Sequence, residues 1–145
     1  MWWCNMIDDL IRKYEGCKLQ SYKCPAGIWT IGWGTTYYPD GTPVKKGEII
    51  SQEVADMLLD RYIQKNITPV FEKIPYKLTD NQKCAIASLC YNVGVPSFLK
   101  SKCFSAMCKK DWAEMIRNYD WGFKQNLKGL FKRRIEELHY FIKDI

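Results

Sequence analysis

Glu15, Cys24 and Thr30 bring three kinds of reactive side chain into one short stretch. A carboxyl group can hold or take a proton. A thiol can attack as a thiolate, and a hydroxyl can donate and accept hydrogen bonds. Glu15 stands at the end of an expected helix, just before Gly16. Helix C-termini carry partial negative charge, which disfavours a carboxylate and favours its protonated form. Burial in a cleft acts in the same direction. A retained proton is what glycosidic cleavage needs, because the leaving oxygen must be protonated as the bond breaks. A glutamate at a helix end is ordinarily a solvated residue, so this physics suits Glu15 to the task without assigning it.

The elements that would position these groups follow from periodicity. Over residues 2–14, Trp3, Met6, Ile7, Leu10, Ile11 and Tyr14 recur at helical spacing. From 17 to 36 the chain turns to β-formers, punctuated by Pro25, Gly27, Gly32 and Gly34, which predicts a small antiparallel sheet with tight turns. Pro39 to Pro43 is a turn signal, and the chain to about residue 50 reads as loop. Ser51 is suited to cap a long helix to about Lys73, with Pro69 as a kink or break. Thr79 to Gln82 forms a capping box for a helix bearing Ala85, Ile86, Leu89 and Cys90 on one face, ending at Gly94–Pro96. Further helices are expected over 97–107, 111–118 and 127–143. In the last, Leu130, Phe131, Ile135, Leu138, Phe141 and Ile142 read as the core-facing stripe. The fold class is α+β: a small antiparallel sheet and a mostly helical remainder, bridged by the long helix, with a cleft between.

The 145 residues fit one domain, and 47% hydrophobic content supports a core. The net charge of +6 draws polyanions, but the basic residues are scattered, with only a short cluster at Lys132-Arg133-Arg134. No basic arm or zinc-finger spacing is present, which argues against nucleic acid. The seven cysteines lack a CxxC pair, which argues against a structural zinc, and no other metal or cofactor is indicated. Their odd count leaves at least one thiol unpaired; reduced, mostly buried cysteines are the expectation, with room for one or two bridges. No apolar run reaches membrane-spanning length, so stable membrane insertion is not expected, and the start is too acidic for a signal peptide.

The spacing is specific. Glu15, eight residues, Cys24, five residues, Thr30 resembles the signature of the phage lysozyme family, glycoside hydrolase family 24, in which the middle position is Asp or Cys. Trp29-Thr30-Ile31-Gly32-Trp33-Gly34 resembles the family's glycine-bearing strand. Val44-Lys45-Lys46-Gly47 leading to Ile50–Ala55 is similar to its interlobe-helix entry. Leu78–Gln82 through Tyr91-Asn92-Val93-Gly94 to Phe98 is similar to its central helix, and Gly129–Arg134 followed by Glu137 to its terminal signature. The motifs run in order over about residues 7–143.

The resemblance implies a single lysozyme-like domain over 1–145. About 15–60 would form the sheet-bearing lobe, and 1–14 with 61–145 the helical lobe. It implies hydrolysis of the β-1,4 bond between N-acetylmuramic acid and N-acetylglucosamine in bacterial peptidoglycan. Glu15 would be the acid, with Cys24 and Thr30 positioning or activating water, and Tyr91 and Asn92 facing the glycan. Cys24 has three open roles: thiolate base, sulfur nucleophile, or polar placement of water. Water attack with inversion is the preferred mechanism. Thr35 stands where the family often has His, and the only histidine, His139, reads as a surface or interface residue, so a His-dependent nucleophile is unsupported. The chain would act as a monomer, made in the host bacterial cytoplasm and let through to the wall by a holin or another route. Two other readings are a wall-binding protein without activity and a cationic membrane-disrupting protein.

Overall fold

The structure, a computed structural model, describes residues 3–119 and 128–145, with backbone alone for 3–5 and 128. The expected helical positions Trp2 and Leu127, and the side chains of Trp3 and Cys4, lie outside the described residues. The chain begins with helix α1 (Trp3–Tyr14), then strands β1 (Lys18–Lys23) and β2 (Trp29–Gly32). Helix α2 (Gln52–Tyr62) passes through a π-helical turn, Ile63–Ile67, into the short α3 (Thr68–Phe71). Then come α4 (Asp80–Val93), α5 (Val95–Leu99), α6 (Lys102–Cys108), α7 (Trp112–Arg117) and α8 (Lys128–Ile142). This is the expected α+β arrangement.

Local signals acted where they were read. Ser51 Oγ accepts from the Val54 N–H, and Thr79 with Gln82 completes both bonds of a capping box. The regular α-helix is broken just before Pro69. A proline ring collides with the carbonyl four residues back and offers no N–H. The π-turn just before it loosens the helix, with the Thr68 N–H reaching back to the Ile63 carbonyl. The helix expected over 97–107 is instead two, because Ser101 stops one and restarts the next. Its hydroxyl donates to the Phe98 carbonyl at 2.6 Å and accepts from the Phe104 N–H at 3.0 Å.

Strands β1 and β2 pair antiparallel, with Tyr22 opposite Thr30 and Lys23 opposite Trp29. Residues expected to be loop add to them through a bridge from Gln20 to Ile49. Gly32 ends β2 at φ +64°, and a Cβ there would lie 3.3 Å from Ala55 Cβ. Glycine thus lets the sheet close on α2.

The core is formed by Ile7, Leu10 and Ile11 of α1 against α4, with α8 also packed on α4. Helix α4 is buried all round from Cys84 to Cys90, beyond the single face expected, because it is the axis of the helical region. Helix α8 corrects the sequence reading more sharply. Phe131 and Ile135, assigned to its core stripe, are 49% and 48% exposed, and Ile142 also faces outward. The buried positions are Arg133, Arg134, Glu137 and Phe141. The short basic cluster is therefore largely internal.

At the start of the fold, Asp8 is buried, and among the described residues its Oδ1 has no hydrogen-bond partner. Arg12 stands 3.7 Å from its other oxygen. Burial, reinforced by the charge of Asp60, pushes the Asp8 carboxyl up to about 6. The folded state then holds a proton that the unfolded chain releases near the ordinary value of 3.8. Stability should fall as pH rises from about 4 to 6 and stay lower above it, by on the order of 2 kcal/mol. Asp8→Asn should flatten that step and raise Tm at pH 7.5, read by thermal unfolding across pH. An unchanged step would assign it to another group.

Candidate active site

Glu15 directly follows α1, its N–H still bonded to the Ile11 carbonyl at 2.9 Å. The helix end thus fixes its backbone as expected. Its side chain meets a cation that periodicity did not anticipate: Arg133 Nη1 donates to Glu15 Oε1 at 2.7 Å. Arg133 is itself almost wholly buried, its side chain 3% exposed. Its Nε donates to Ser88 Oγ at 3.2 Å and its Nη2 to the Ser88 carbonyl at 3.1 Å, while Glu137 Oε2 lies 3.4 Å from Nε. The guanidinium also stands over the Tyr14 ring, 5.5 Å from its centre. One side chain from α8 therefore ties the end of α1 to the middle of α4.

The network continues inward. Arg134 pairs with Glu137 at 2.8 Å, both wholly buried, and Arg134 Nη2 donates to Asn92 Oδ1 at 2.9 Å. Burial pushes the Glu137 carboxyl up to about 7, against the opposing pull of Arg134 and then Arg133. Asn92, read as facing the glycan, is exposed at the end of α4, with its carbonyl committed to Arg134.

Tyr91 is held differently. Its hydroxyl donates to the Trp33 carbonyl at 2.8 Å, and burial, followed by the negative charge of Glu15, pushes that phenol up. Trp33 donates its indole N–H to Asp56 of α2 at 2.8 Å, and Arg12 of α1 lies over its ring. This residue joins the sheet region to three helices. Gly34 follows at φ +109°, where a Cβ would lie 3.5 Å from Tyr91 Oη and 3.9 Å from Glu15 Oε2. Oε1 thus belongs to Arg133, and Oε2 is the oxygen on the side of Gly34.

Cys24 and Thr30 meet at the hairpin end. The Gly27 N–H closes a turn on the Cys24 carbonyl at 2.8 Å, and the Cys24 N–H bonds the Ile28 carbonyl at 3.0 Å. Thr30 is buried, and its hydroxyl donates to the Ile28 carbonyl at 3.0 Å. Hydrogen bonding from the Ile28 backbone chiefly, and from the Ala26 backbone after it, holds the Cys24 thiol below its ordinary range. Tyr22, opposite Thr30, feels both Glu15 and Cys24: after burial, their negative charges push its phenol up. Tyr22 is therefore within electrostatic reach of both the carboxyl and the sulfur.

Beyond Gly34 a cavity of about 380 Å³ opens between the 34–41 segment and the end of α2. Thr35, the residue in the histidine place, lies on its wall with Tyr37, Tyr62, Arg61, Lys65 and Tyr91. Sequence reading missed the parts played by Arg133 and Tyr22; it expected a cleft between the lobes, but not the residues that line this cavity. The Arg133-Arg134-x-x-Glu137 spacing was the available signal, but at i,i+3 and i,i+4 it is also what an exposed ion pair looks like.

Among the described residues, no group of three or more His, Cys, Asp or Glu side chains could hold a metal. The family model of phage lysozymes matches residues 12–137. The chain is 33% identical over 139 residues to an endolysin of Acyrthosiphon pisum secondary endosymbiont phage 1, covering 91% of this chain and 92% of that one. Its structure is similar to an endolysin from Escherichia coli O157:H7 phage FAHEc1, with a TM-score of 0.82 at 28% identity over 97% of this chain and 92% of that one. A variant of P22 lysozyme gives a TM-score of 0.75 at 28% identity, covering 95% of each chain. The fold is lysozyme-like.

Arg133→Met leaves Glu137 with one cation fewer in a buried site. It should cost about 3–5 kcal/mol of stability in urea unfolding. Adding Glu137→Gln should cost less than the sum of the two single changes, with a coupling of about 1–3 kcal/mol. Strict additivity would show that the two do not share a network.

Proposed function

We propose that this chain, which belongs to the phage lysozyme family, hydrolyses the β-1,4 bond between N-acetylmuramic acid and N-acetylglucosamine in bacterial peptidoglycan, and so lyses cells as an endolysin. The observation that carries this reading is the placement of Glu15. Its carboxyl is fixed by Arg133 on one oxygen and presents the other toward Gly34 and the adjoining cavity. A proton on Oε2 would be delivered to the leaving oxygen of the glycan. Arg133 is a positioning residue, holding Oε1 so that delivery has one direction.

Cys24 and Thr30 supply the water side. Thr30 has its proton on the Ile28 carbonyl, which leaves its oxygen to accept from water. Cys24, half-exposed at the hairpin turn, is eased toward thiolate by neighbouring N–H donors. A thiolate can take the proton of a water attacking the anomeric carbon as the bond to the leaving oxygen breaks. That proton passes to sulfur, the proton of Glu15 passes to the departing sugar, and the configuration inverts. Tyr91 and Asn92 would bound the glycan from α4. The expected release route, through a holin or another protein, and the monomeric state belong to this same proposal.

Turbidity loss of permeabilised bacteria tests it. Glu15→Gln should lose more than about a hundredfold in rate. Cys24→Ala should fall by about ten- to a hundredfold, and Cys24→Asp should retain activity. NMR of the fresh product should show the α-anomer. A β-configured first product would refute inversion. Full lysis by Glu15→Gln would instead support killing through membrane disruption. Inert wild type and variant alike would leave only a wall-binding protein.

A further inference from the structure

The cavity beside Gly34 carries charge that hydrolysis does not use. Arg61 stands near the end of α2 and Lys65 four residues on, within the π-turn, and both line it. Like charges at this spacing repel by about 0.2–0.5 kcal/mol. Among the described residues, neither has a hydrogen-bond or salt-bridge partner. Three carboxylates of the surrounding segments have other partners. Asp60 accepts from the Gln64 amide at 3.2 Å, Glu48 accepts from the Tyr38 hydroxyl at 2.9 Å and from the Lys45 N–H, and Glu15 is on Arg133.

The other walls are largely aromatic. Tyr37, Tyr38, Tyr62 and Tyr91 contribute, and the hydroxyls of Tyr38 and Tyr91 are already bonded to Glu48 and to the Trp33 carbonyl. What remains is a concave surface with apolar ring faces and two unpaired cations on one wall. Its volume suits a short peptide or small ligand. It also adjoins the acid: Gly34 and Tyr91 line it, and a Cβ on Gly34 would lie within 4 Å of both Tyr91 and Glu15 Oε2. An occupant would be attached to the same polymer whose bond Glu15 faces.

We propose that this cavity binds the carboxylate-bearing stem peptide of peptidoglycan, with Arg61 and Lys65 on its carboxylates, and that it makes the enzyme select acidic stems over amidated ones. This rests on the glycan-hydrolase reading above. The same carboxylate chemistry has a second source, the lactyl carboxylate that muramic acid exposes once its stem is removed, so the test must separate the two.

Initial rates on soluble peptidoglycan strands do so in three forms: native, with stem carboxylates converted to amides, and stripped of stems by an amidase. Wild type should lose about tenfold in kcat/KM on amidated strands, mostly through KM, and a similar amount on stripped strands. Arg61→Gln/Lys65→Gln should treat the three forms nearly alike. Lys100→Gln/Lys109→Gln, which removes the same charge from distant exposed positions, should keep the wild-type preference. Three results would overturn the proposal: a preference that survives in the Arg61/Lys65 variant, a preference lost equally in the remote variant, or stripped strands cleaved as well as native ones. Wild type indifferent to amidation would do the same while leaving the hydrolase reading intact. Inactivity on all three forms would remove that reading itself.

Discussion

A single guanidinium sets the terms for the rest of this structure. Arg133 is buried, and a buried charge is tolerated only when it is fully paired. Its donors are taken by Glu15, by the hydroxyl and carbonyl of Ser88, and by contact with Glu137, and its face lies on Tyr14. Those partners come from α1, α4 and α8. Satisfying them leaves α8 little freedom to rotate or slide. This explains why the helix presents charged residues to the core and leaves Phe131 and Ile135 largely exposed. The area of those two side chains is worth a few kcal/mol at most. Stranding two arginines and a glutamate inside the protein would cost more.

Trp33 does for the sheet region what Arg133 does for the helices. Its indole N–H, ring and carbonyl engage Asp56, Arg12 and Tyr91, which lie on α2, α1 and α4. Gly34 follows immediately, so the wall beside Glu15 is fixed by the residue before it. The two anchors differ from the hairpin turn that carries Cys24, which is tied mainly by its own backbone bonds. The carboxyl side of the site is thus braced by long-range packing. The sulfur side is set by local turn geometry.

That difference explains what could be read in advance. The caps at Ser51 and Thr79, the β-hairpin and the stop at Gly94 are encoded within a few neighbouring residues, and their chemistry is visible in the letters. Glu15, Cys24 and Thr30 stood out through their spacing and the family resemblance it carries; the pairing of Glu15 did not, because Arg133 lies far along the chain. The rotation of α8 was misjudged for a related reason. Its sequence offers an apolar stripe through Phe131 and Ile135 and a polar set through Arg133 and Glu137, and periodicity favours the apolar one. Only the presence of Glu15 and Ser88 as partners decides for the polar set. A cleft was expected, but its lining was illegible because the walls come from separate segments, each of which alone reads as a loop or an exposed helix face.

The sulfur at position 24 makes more sense beside Arg133 than it does in isolation. On the proposed mechanism, positive charge develops on the sugar as the glycosidic bond breaks. The nearest fixed charge on the acid side is a guanidinium, which repels it. A group of negative character is therefore needed on the opposite face. A neutral thiol offers little of this, and a fully formed thiolate would require strong local stabilisation. The hairpin provides a graded answer: backbone donors near Ile28 shift the thiol toward ionisation while its half-exposed position keeps it in contact with water. On that mechanism Arg133 would fix the direction of the acid, and the turn would adjust the charge of its partner. The two parts of the proposed site would then balance through that division rather than through a matched pair of carboxylates.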